Sequence, residues 1–338
     1  MKIHHLAMSL LFVGAVACTE APDATRPSGP AASPQRQAGA EAAEPLLVFR
    51  SADGGHTWQD ISKGLPRSVK RGYGMGKNVS FADADGLYLT DGQRLYHSNP
   101  AAANPLWTEA PLPSREASIS AGRTGVLAYT FGGSLFRKAG GSEKWLPVYT
   151  NFGQKTVRTV FESAAGPVFI GTDSGLFKSG DAGKTWKQVH PAGLVWKIAE
   201  SNGVLLALNN QGIIRSTDGG EHWAFAVYEH RRGFVIAGID GGFAVGLDRT
   251  AKERRSLRTS FDGGATWEHI DAGLPADAST ASVVQVGVRF FCSQAAGVFG
   301  SADKGKTWQL LLPSINDKIF QLHVSGKVLY AVPRTRGC

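Results

Sequence analysis

The sequence is poor in cysteine and in charge, and it has no hydrophobic run of membrane-spanning length. Only three of its 338 residues are Cys, which excludes a small fold held by disulfides, because such folds are rich in Cys. An apolar fraction of 42% excludes a disordered chain, which lacks the residues to bury a core. Charged residues make up 19%, and 36 Lys and Arg against 28 Asp and Glu give a formal charge of +8. This excess favours anionic partners.

Motifs of metal, cofactor and nucleophile chemistry are also missing. The sequence contains no H-E-x-x-H, G-x-S-x-G or C-x-x-C, and its nine His show no metal-ligand spacing. Residues 300–307 match the phosphate-loop pattern G-x-x-x-x-G-K-[ST], but a strand-like run follows where that loop requires a helix. Asp83-Ala84-Asp85-Gly86 resembles a calcium loop that lacks the later Glu. We therefore predict no metal, no cofactor and no nucleic-acid partner.

The first 17 residues have the pattern of an export signal. Lys2 precedes an apolar run at 6–17, which is shorter than the about 20 residues that span a bilayer. Ala15-Val16-Ala17-Cys18 resembles the lipobox of bacterial lipoproteins, in which Cys18 would carry the lipid. Ala15 stands where Leu is usual, so a plain secretory signal and a soluble periplasmic protein remain the alternative.

A tether is expected between this signal and a folded body. Residues 19–45 are rich in Ala, Pro, Ser, Gly and Gln and hold no bulky apolar residue, so they cannot bury a core. The sequence thus predicts a signal peptide at 1–17, a lipidated Cys18 with a tether at 18–45, and one domain at 46–338. Thr19 is not the Asp that retains some lipoproteins in the inner membrane, so we expect the bacterial cell envelope, at the outer membrane.

An octapeptide that occurs five times is the strongest pattern in the chain. Each copy of Ser-x-Asp-x-Gly-x-Thr-Trp lies between two β-rich runs, which is typical of a hairpin turn. Asp can accept backbone N–H groups across such a turn, and Gly supplies the positive φ that other residues resist. The defining residues are Ser51, Asp53, Trp58, Ser179, Asp181, Trp186, Ser216, Asp218, Trp223, Ser260, Asp262, Trp267, Ser301, Asp303 and Trp308.

The octapeptide resembles the Asp-box, or BNR repeat, of the sialidase superfamily of β-propellers. The resemblance covers residues 46–337 and includes sialidase-like bacterial lipoproteins and the single-propeller assembly factors of photosynthetic membranes. It implies that the octapeptides are structural turns between the third and fourth strands of each blade.

Seven Trp residues set the number of blades. Trp107 and Trp145 end segments of similar design that lack the Asp, and with the five octapeptide Trp they recur every 37 to 49 residues. Periods of this size fit one four-stranded blade each. One strand, at 46–50, precedes the first octapeptide, and two strand-like runs, at 319–324 and 328–332, follow the last. We predict an all-β, seven-bladed propeller of antiparallel four-stranded blades, in which N- and C-terminal strands share one blade and leave no free edge.

Basic residues are concentrated in connections that this fold places on the face opposite the octapeptides. Arg and Lys with Tyr among them favour anionic ligands such as acidic glycans, phosphorylated lipid headgroups or acidic protein surfaces. We expect a monomer whose binding residues are Arg67, Lys70, Arg71, Tyr73, Arg231, Arg232, Arg249, Arg254 and Arg255.

Catalysis is the alternative to binding. A sialidase holds the substrate carboxylate with Arg, uses a Tyr–Glu pair as nucleophile and base, and needs an acid/base group. Tyr228 and Glu229 could supply the pair, with Arg71, Arg231, Arg232 or Arg254 as the clamp. However, Phe49-Arg50-Ser51-Ala52 replaces the family's Phe-Arg-Ile-Pro, and neighbours in a strand point to opposite sides. The sequence therefore favours a non-catalytic binding protein, with an exo-sialidase or other glycoside hydrolase of acidic sugars, or a pure protein-interaction platform, as alternatives.

Two further residues have two interpretations each. Trp196 lies in a candidate innermost strand, where it could pack in the core or stack on a sugar in the channel. Cys292 lies in an apolar run, where it could be a buried free thiol or pair with Cys338.

Overall fold

The computed structural model describes residues 48–66, 69, 78–99, 101, 107–148, 155–191, 193–227, 233–249, 254–276 and 278–334. These residues form 28 β-strands and no α-helix. Within the same ranges, no helix is long and apolar enough to cross a membrane.

The strands form seven four-stranded antiparallel sheets, which we call blades. The chain opens with β1 (Phe49–Ser51) and β2 (Gln59–Asp60). Blade 1 has β3 (Ser80–Asp83), β4 (Gly86–Thr90), β5 (Arg94–Ser98) and β6 (Thr108–Pro111); blade 2 has β7 (Ser118–Gly122), β8 (Gly125–Tyr129), β9 (Leu135–Ala139) and β10 (Leu146–Val148). Blade 3 has β11 (Val157–Glu162), β12 (Val168–Thr172), β13 (Gly175–Ser179) and β14 (Lys187–His190); blade 4 has β15 (Val195–Ser201), β16 (Val204–Asn209), β17 (Gly212–Ser216) and β18 (Ala224–Val227). Blade 5 has β19 (Gly233–Ile239), β20 (Gly242–Leu247), β21 (Ser256–Ser260) and β22 (Glu268–His269); blade 6 has β23 (Ser282–Val286), β24 (Arg289–Gln294), β25 (Gly297–Ser301) and β26 (Gln309–Pro313). Blade 7 joins β27 (Ile319–Ser325) and β28 (Val328–Arg334) to β1 and β2.

The first strand of each blade is the innermost, and these strands contact one another around a closed ring. In order, β3, β7, β11, β15, β19, β23 and β27 each contact the next, and β27 returns to β3. The molecule is therefore a seven-bladed β-propeller around a central channel, as the sequence predicts.

The two ends of the chain close the ring together. β1 pairs antiparallel with β28, so that Arg50 lies opposite Tyr330, and β27 completes the blade on its inner side. Pairing strands from both ends hides the edge that either would expose alone. The predicted shared blade is thus confirmed.

The hydrophobic core lies between neighbouring blades. Phe169 of blade 3 packs with Leu205 and Ile214 of blade 4, and all three side chains are fully buried. Phe320 of blade 7 packs in the same way against Phe291 of blade 6. Each such side chain stabilises the fold by about 1.5–3 kcal/mol relative to exposure, so the blades hold one another in place.

Polar bonds join the blades where the apolar core ends. In three blades, the last or next-to-last residue of the inner strand has a side-chain oxygen that accepts a backbone N–H. The N–H belongs to the turn between the first and second strands of the preceding blade. The pairs are Glu162 Oε2 with Arg123 N at 2.8 Å, Glu200 Oε2 with Ala164 N at 2.8 Å, and Gln285 Oε1 with Asp240 N at 2.7 Å. These side chains act as structural acceptors at one end of the inner strands.

Trp residues make a second set of links. All seven predicted repeat Trp immediately precede the outermost strand of a blade. Trp107 Nε1 donates to Ile61 O at 2.8 Å, and Trp308 Nε1 donates to Ile270 O at 2.6 Å, in each case in the preceding blade. The blade assignment from Trp spacing is therefore confirmed, including blades 1 and 2, which lack the Asp.

Several smaller motifs have ordinary structural roles. Residues 300–307 cover the end of β25 and the turn that leads to β26, so a strand follows them, not a helix. Asp83 Oδ1 accepts the N–H of Asp85 at 2.9 Å in a strand turn. Trp196 packs against the core between blades 4 and 5. Cys292 is a buried free thiol whose pKa is raised by desolvation.

Candidate functional site

The propeller has two faces of different construction. Along each blade the chain reverses at every strand, so the first-to-second and third-to-fourth strand turns lie at one end and the remaining connections at the other. The octapeptides are the third-to-fourth turns, and we call their end the octapeptide face. The opposite end, with the second-to-third connections and the connections between blades, is the loop face.

The octapeptide turns are held by a repeated set of hydrogen bonds. Ser179 Oγ accepts the N–H of Gly183 at 2.7 Å and donates to Asp181 Oδ1 at 2.8 Å. Asp181 Oδ1 also accepts the N–H of Thr185 at 2.8 Å, while its Oδ2 accepts the Thr185 hydroxyl at 2.6 Å. Both carboxylate oxygens are therefore engaged within the turn.

The same bonds recur in the other four octapeptides. The Ser Oγ to Asp Oδ1 distance is 2.7 to 2.8 Å in each. In blade 4, His222 stands in for Thr and places Nδ1 at 2.7 Å from Asp218 Oδ2. Hydrogen bonds to the charged form hold the pKa of each of these carboxyls well below its usual range, led by the bond from the Thr side chain or, in blade 4, from the His222 N–H.

Most of the predicted binding residues fall in connections whose ends lie on the loop face. Segment 67–77 joins β2 of blade 7 to β3 of blade 1, and segment 228–232 joins β18 of blade 4 to β19 of blade 5. The following predicted residues lie outside the described part of the chain: Arg67, Lys70, Arg71, Tyr73, Arg231, Arg232 and the candidate pair Tyr228 and Glu229. The strands on either side of these segments end and begin on the loop face, and both the positions and the roles of these residues stay predictions.

The described arginines of the predicted site have acidic neighbours. They belong to the connection between β20 and β21 of blade 5. Arg255 Nε lies 3.1 Å from Asp248 Oδ1, and Arg254 Nη2 lies 3.9 Å from Asp271 Oδ2. Arg249 donates its backbone N–H to Asp248 Oδ1 at 2.8 Å. Part of the positive charge of this connection is thus neutralised.

The space beside these arginines is small. Arg254, Arg255, Asp271 and Gln294 help to line a cavity of about 10 Å³, which holds no more than one water molecule. The described part of this connection therefore forms no sugar-sized pocket. A surface contact fits its geometry better than enclosure of a ligand.

A second group of basic residues lies at the central channel. Lys197 is the third residue of β15, the inner strand of blade 4. His323 is on β27, the inner strand of blade 7, and Arg334 ends β28, opposite Ile319. Strand β28 ends on the loop face, where β15 and β27 begin, so Arg334 and Lys197 lie toward the loop-face mouth.

The charges of these groups act on one another. Desolvation lowers the pKa of Lys197, and the positive charge of Arg334 lowers it further. Desolvation and the charge of Lys197 lower the pKa of His323 to about 3. His323 is therefore neutral at physiological pH, and its Nε2 lies 2.8 Å from Ser80 Oγ. Blades 4 and 7 are three blades apart in a ring of seven, so these side chains interact across the channel.

The sequence alone did not predict this channel group. Lys197 stands between the apolar Trp196 and Ile198, and His323 stands between Leu322 and Val324. A basic residue between apolar neighbours in an inner strand was the available signal. It does not show that residues 126 positions apart meet, because their meeting depends on the closed ring.

Comparison with known proteins supports the fold. No family model and no curated protein matches the chain. Among solved structures, virginiamycin B lyase from Staphylococcus aureus has a TM-score of 0.58 at 12% identity, covering 76% of this chain and 94% of that one. YCF48 bound to D1 peptide has a TM-score of 0.53 at 11% identity, covering 77% and 95%. An ancestral GH74 enzyme has a TM-score of 0.51 at 15% identity, covering 72% and 40%. At these identities the likeness shows the fold alone.

Proposed function

We propose that the chain is an exported, lipid-anchored propeller of the cell envelope that binds an anionic partner on its loop face without catalysing a reaction. The observation that supports this proposal is that the strands flanking three basic segments, 67–77, 228–232 and 248–255, end and begin on the loop face. Clustered Arg and Lys attract anions and place bidentate donors toward carboxylates or phosphates.

An acidic protein surface is the partner class that we favour over a glycan. The described arginines beside Asp248 and Asp271 border a cavity of about 10 Å³, which suits an open contact. One structure with this fold carries a peptide, YCF48 bound to D1 peptide. A second structure similar to this chain is PorZ, a bacterial surface component of a secretion system in Porphyromonas gingivalis.

Retention on heparin or polyphosphate tests the binding face. Protein lacking residues 1–18 should bind and elute at moderate salt, since exposed charge pairing weakens as salt rises. Replacing Arg231 and Arg232 by Ser should lower the eluting salt concentration. The matched control replaces Lys184 and Lys306 by Ser, which removes the same charge from the octapeptide face. Equal losses in both variants would contradict a specific binding face.

Hydrolysis is the competing outcome. Purified protein should release no chromophore from aryl sialosides or other aryl glycosides. Turnover that Tyr228→Phe or Glu229→Ala abolishes would replace the binding proposal by a glycoside hydrolase.

The anchor has its own test. In bacterial cells, a fatty-acid probe should label the wild-type chain in the outer-membrane fraction, and Cys18→Ala should abolish the label. Label that persists in the variant would remove the lipid-anchor proposal and leave the secretory alternative.

A further inference from the structure

The channel group differs from the loop-face arginines because rigid strands, not connections, hold it. Lys197 and His323 lie on inner strands from opposite sides of the ring, and Arg334 lies on the strand next to β27. The backbones of the strands in a closed propeller are fixed by the core packed around them. The relative positions of the three groups are therefore set by the fold.

Arg334, Lys197 and His323 lie at successive depths from the loop-face mouth of the channel. Arg334 is opposite Ile319, the first residue of β27, and His323 is four residues further along that strand. Lys197 is two residues inside the start of β15. At about 3.3 Å per strand residue, the group extends from the loop-face mouth roughly 13 Å into the channel. An ion entering from the loop face would meet Arg334 first.

No acidic side chain of the described residues neutralises this group. Among the described residues, no carboxylate shifts the pKa of Lys197 or Arg334, and no hydrogen bond or ion pair joins either side chain to a partner. The inner-strand carboxylates are engaged elsewhere. Glu162 pairs with Arg137 at 2.8 Å, and Glu200 accepts from Ser163 and Ala164. Asp83, the last residue of β3, accepts the N–H of Asp85 at 2.9 Å. All three carboxylates lie at the octapeptide end.

The group remains open to solvent. Lys197 and His323 are partly exposed and Arg334 is exposed, although the surrounding protein desolvates them. Unpaired charges in such an environment are costly, and an anion between them would relieve both their desolvation and their mutual repulsion. The Ser80 hydroxyl, at 2.8 Å from His323 Nε2, adds a neutral polar group beside them.

We propose that the loop-face half of the central channel is a binding site for a small oxyanion, of the phosphate or carboxylate class, held between Lys197 and Arg334. The site does not depend on the partner proposed above. It uses strand residues, and it would persist if the loop-face connections bound nothing.

Phosphate binding tests the site directly. We would measure the affinity of inorganic phosphate by calorimetry and the unfolding temperature at rising phosphate, with NaCl holding the ionic strength constant. The wild-type protein should bind about one phosphate per chain and gain thermal stability with the logarithm of its concentration. Lys197→Met and Arg334→Met should each weaken the affinity by about tenfold or more, because each removes a charge-assisted hydrogen bond. Lys306→Met, on the octapeptide face, is the matched control and should change nothing.

The same measurement with acetate distinguishes a phosphate site from a carboxylate site. Tighter phosphate binding assigns the site to tetrahedral oxyanions, and tighter acetate binding assigns it to carboxylates. Stabilisation that sodium chloride reproduces at equal ionic strength, or that survives both Met substitutions, would overturn the proposal.

Chemical modification of Lys197 in the wild-type chain provides a test that does not depend on whether the variants fold. A lowered pKa leaves more of an amine unprotonated, so an acylating reagent should label Lys197 in the wild-type chain ahead of exposed lysines such as Lys306. Phosphate should protect Lys197 and leave Lys306 labelling unchanged, as read by mass spectrometry. Equal labelling of Lys197 with and without phosphate would contradict the site.

Discussion

The octapeptide face and the central channel differ in how their charges are satisfied. Each octapeptide Asp receives hydrogen bonds from its own turn, and its pKa falls because those bonds favour the charged form. In the channel, Lys197 and Arg334 lack a described partner, and their pKa values fall because the charged form is disfavoured. Charges that are satisfied internally stabilise the fold. Charges that are held without a partner are available to a ligand.

The largest expected effect comes from disturbing an octapeptide glycine. Gly220 has φ of +86°, and an added Cβ would lie 2.4 Å from the Phe169 ring in the core. Gly220→Ala should therefore cost about 3 kcal/mol or more, from backbone strain and overpacking together. Gly219→Ala is the control, because its φ is +70° but nothing lies within 4 Å, and it should cost about 1 kcal/mol. Equal losses by denaturant unfolding would show that the turn is not packed against the core.

Removing an octapeptide hydroxyl should have the next largest effect. Ser179 is 1% exposed, and its Oγ is the acceptor for Gly183 N. Ser179→Ala should cost about 1–3 kcal/mol, because a buried N–H loses its partner. Ser134→Ala, at an exposed site in blade 2, should be nearly neutral in the same unfolding experiment. A ligand-binding defect in a stable Ser179→Ala protein would show that the octapeptide face takes part in binding and is not purely structural.

The channel and the octapeptide face should lose stability in different pH ranges. His323 stays neutral in the folded state down to about pH 3, whereas in the unfolded chain it is protonated below about pH 6.5. The unfolded state then binds the extra proton, so stability falls with decreasing pH across this window, by up to about 1.4 kcal/mol per unit. The lowered pKa values of the octapeptide Asp residues remove stability only below about pH 4. His323→Gln should flatten the upper window and leave the lower one, as measured by unfolding from pH 3 to 7.5. An unchanged stability profile between pH 3 and 6.5 would contradict a desolvated, neutral His323 imidazole.

The smallest effect on stability is expected on the loop face. Arg254 Nη2 lies 3.9 Å from Asp271 Oδ2, and the arginine side chain is 60% exposed. Asp271 is only 12% exposed, but the contact is long and the arginine is exposed, so the pair contributes about 0–1 kcal/mol. Arg254→Gln should therefore leave the unfolding free energy within about 1 kcal/mol. Its retention on heparin should nevertheless fall. A large loss of stability would give this arginine a structural role.

The repeat made the fold predictable. Trp107 and Trp145 could be assigned to blades without their Asp, because a Trp before the outermost strand is what every blade requires. Phe49 and Arg50 could be assigned to a shared blade, because one strand preceded the first octapeptide and two followed the last. These inferences use local pattern and periodicity, which the sequence carries directly.

The site was harder to predict because it depends on distant contacts. Arg254 and Arg255 could be placed on the loop face, but their neighbours Asp271 and Asp248 could be recognised only in the folded connection. Lys197 and His323 meet across the ring, a contact that no local period encodes. The sequence shows which residue types are available, and ring closure decides which of them face each other.

Hydrogen exchange with and without polyphosphate tests whether anions bind on the loop face. We expect protection in the connections 67–77, 228–232 and 248–255 and at the loop-face ends of β15 and β28, with the five octapeptides unchanged. Protection centred on the octapeptides, with the loop face unaffected, would contradict it.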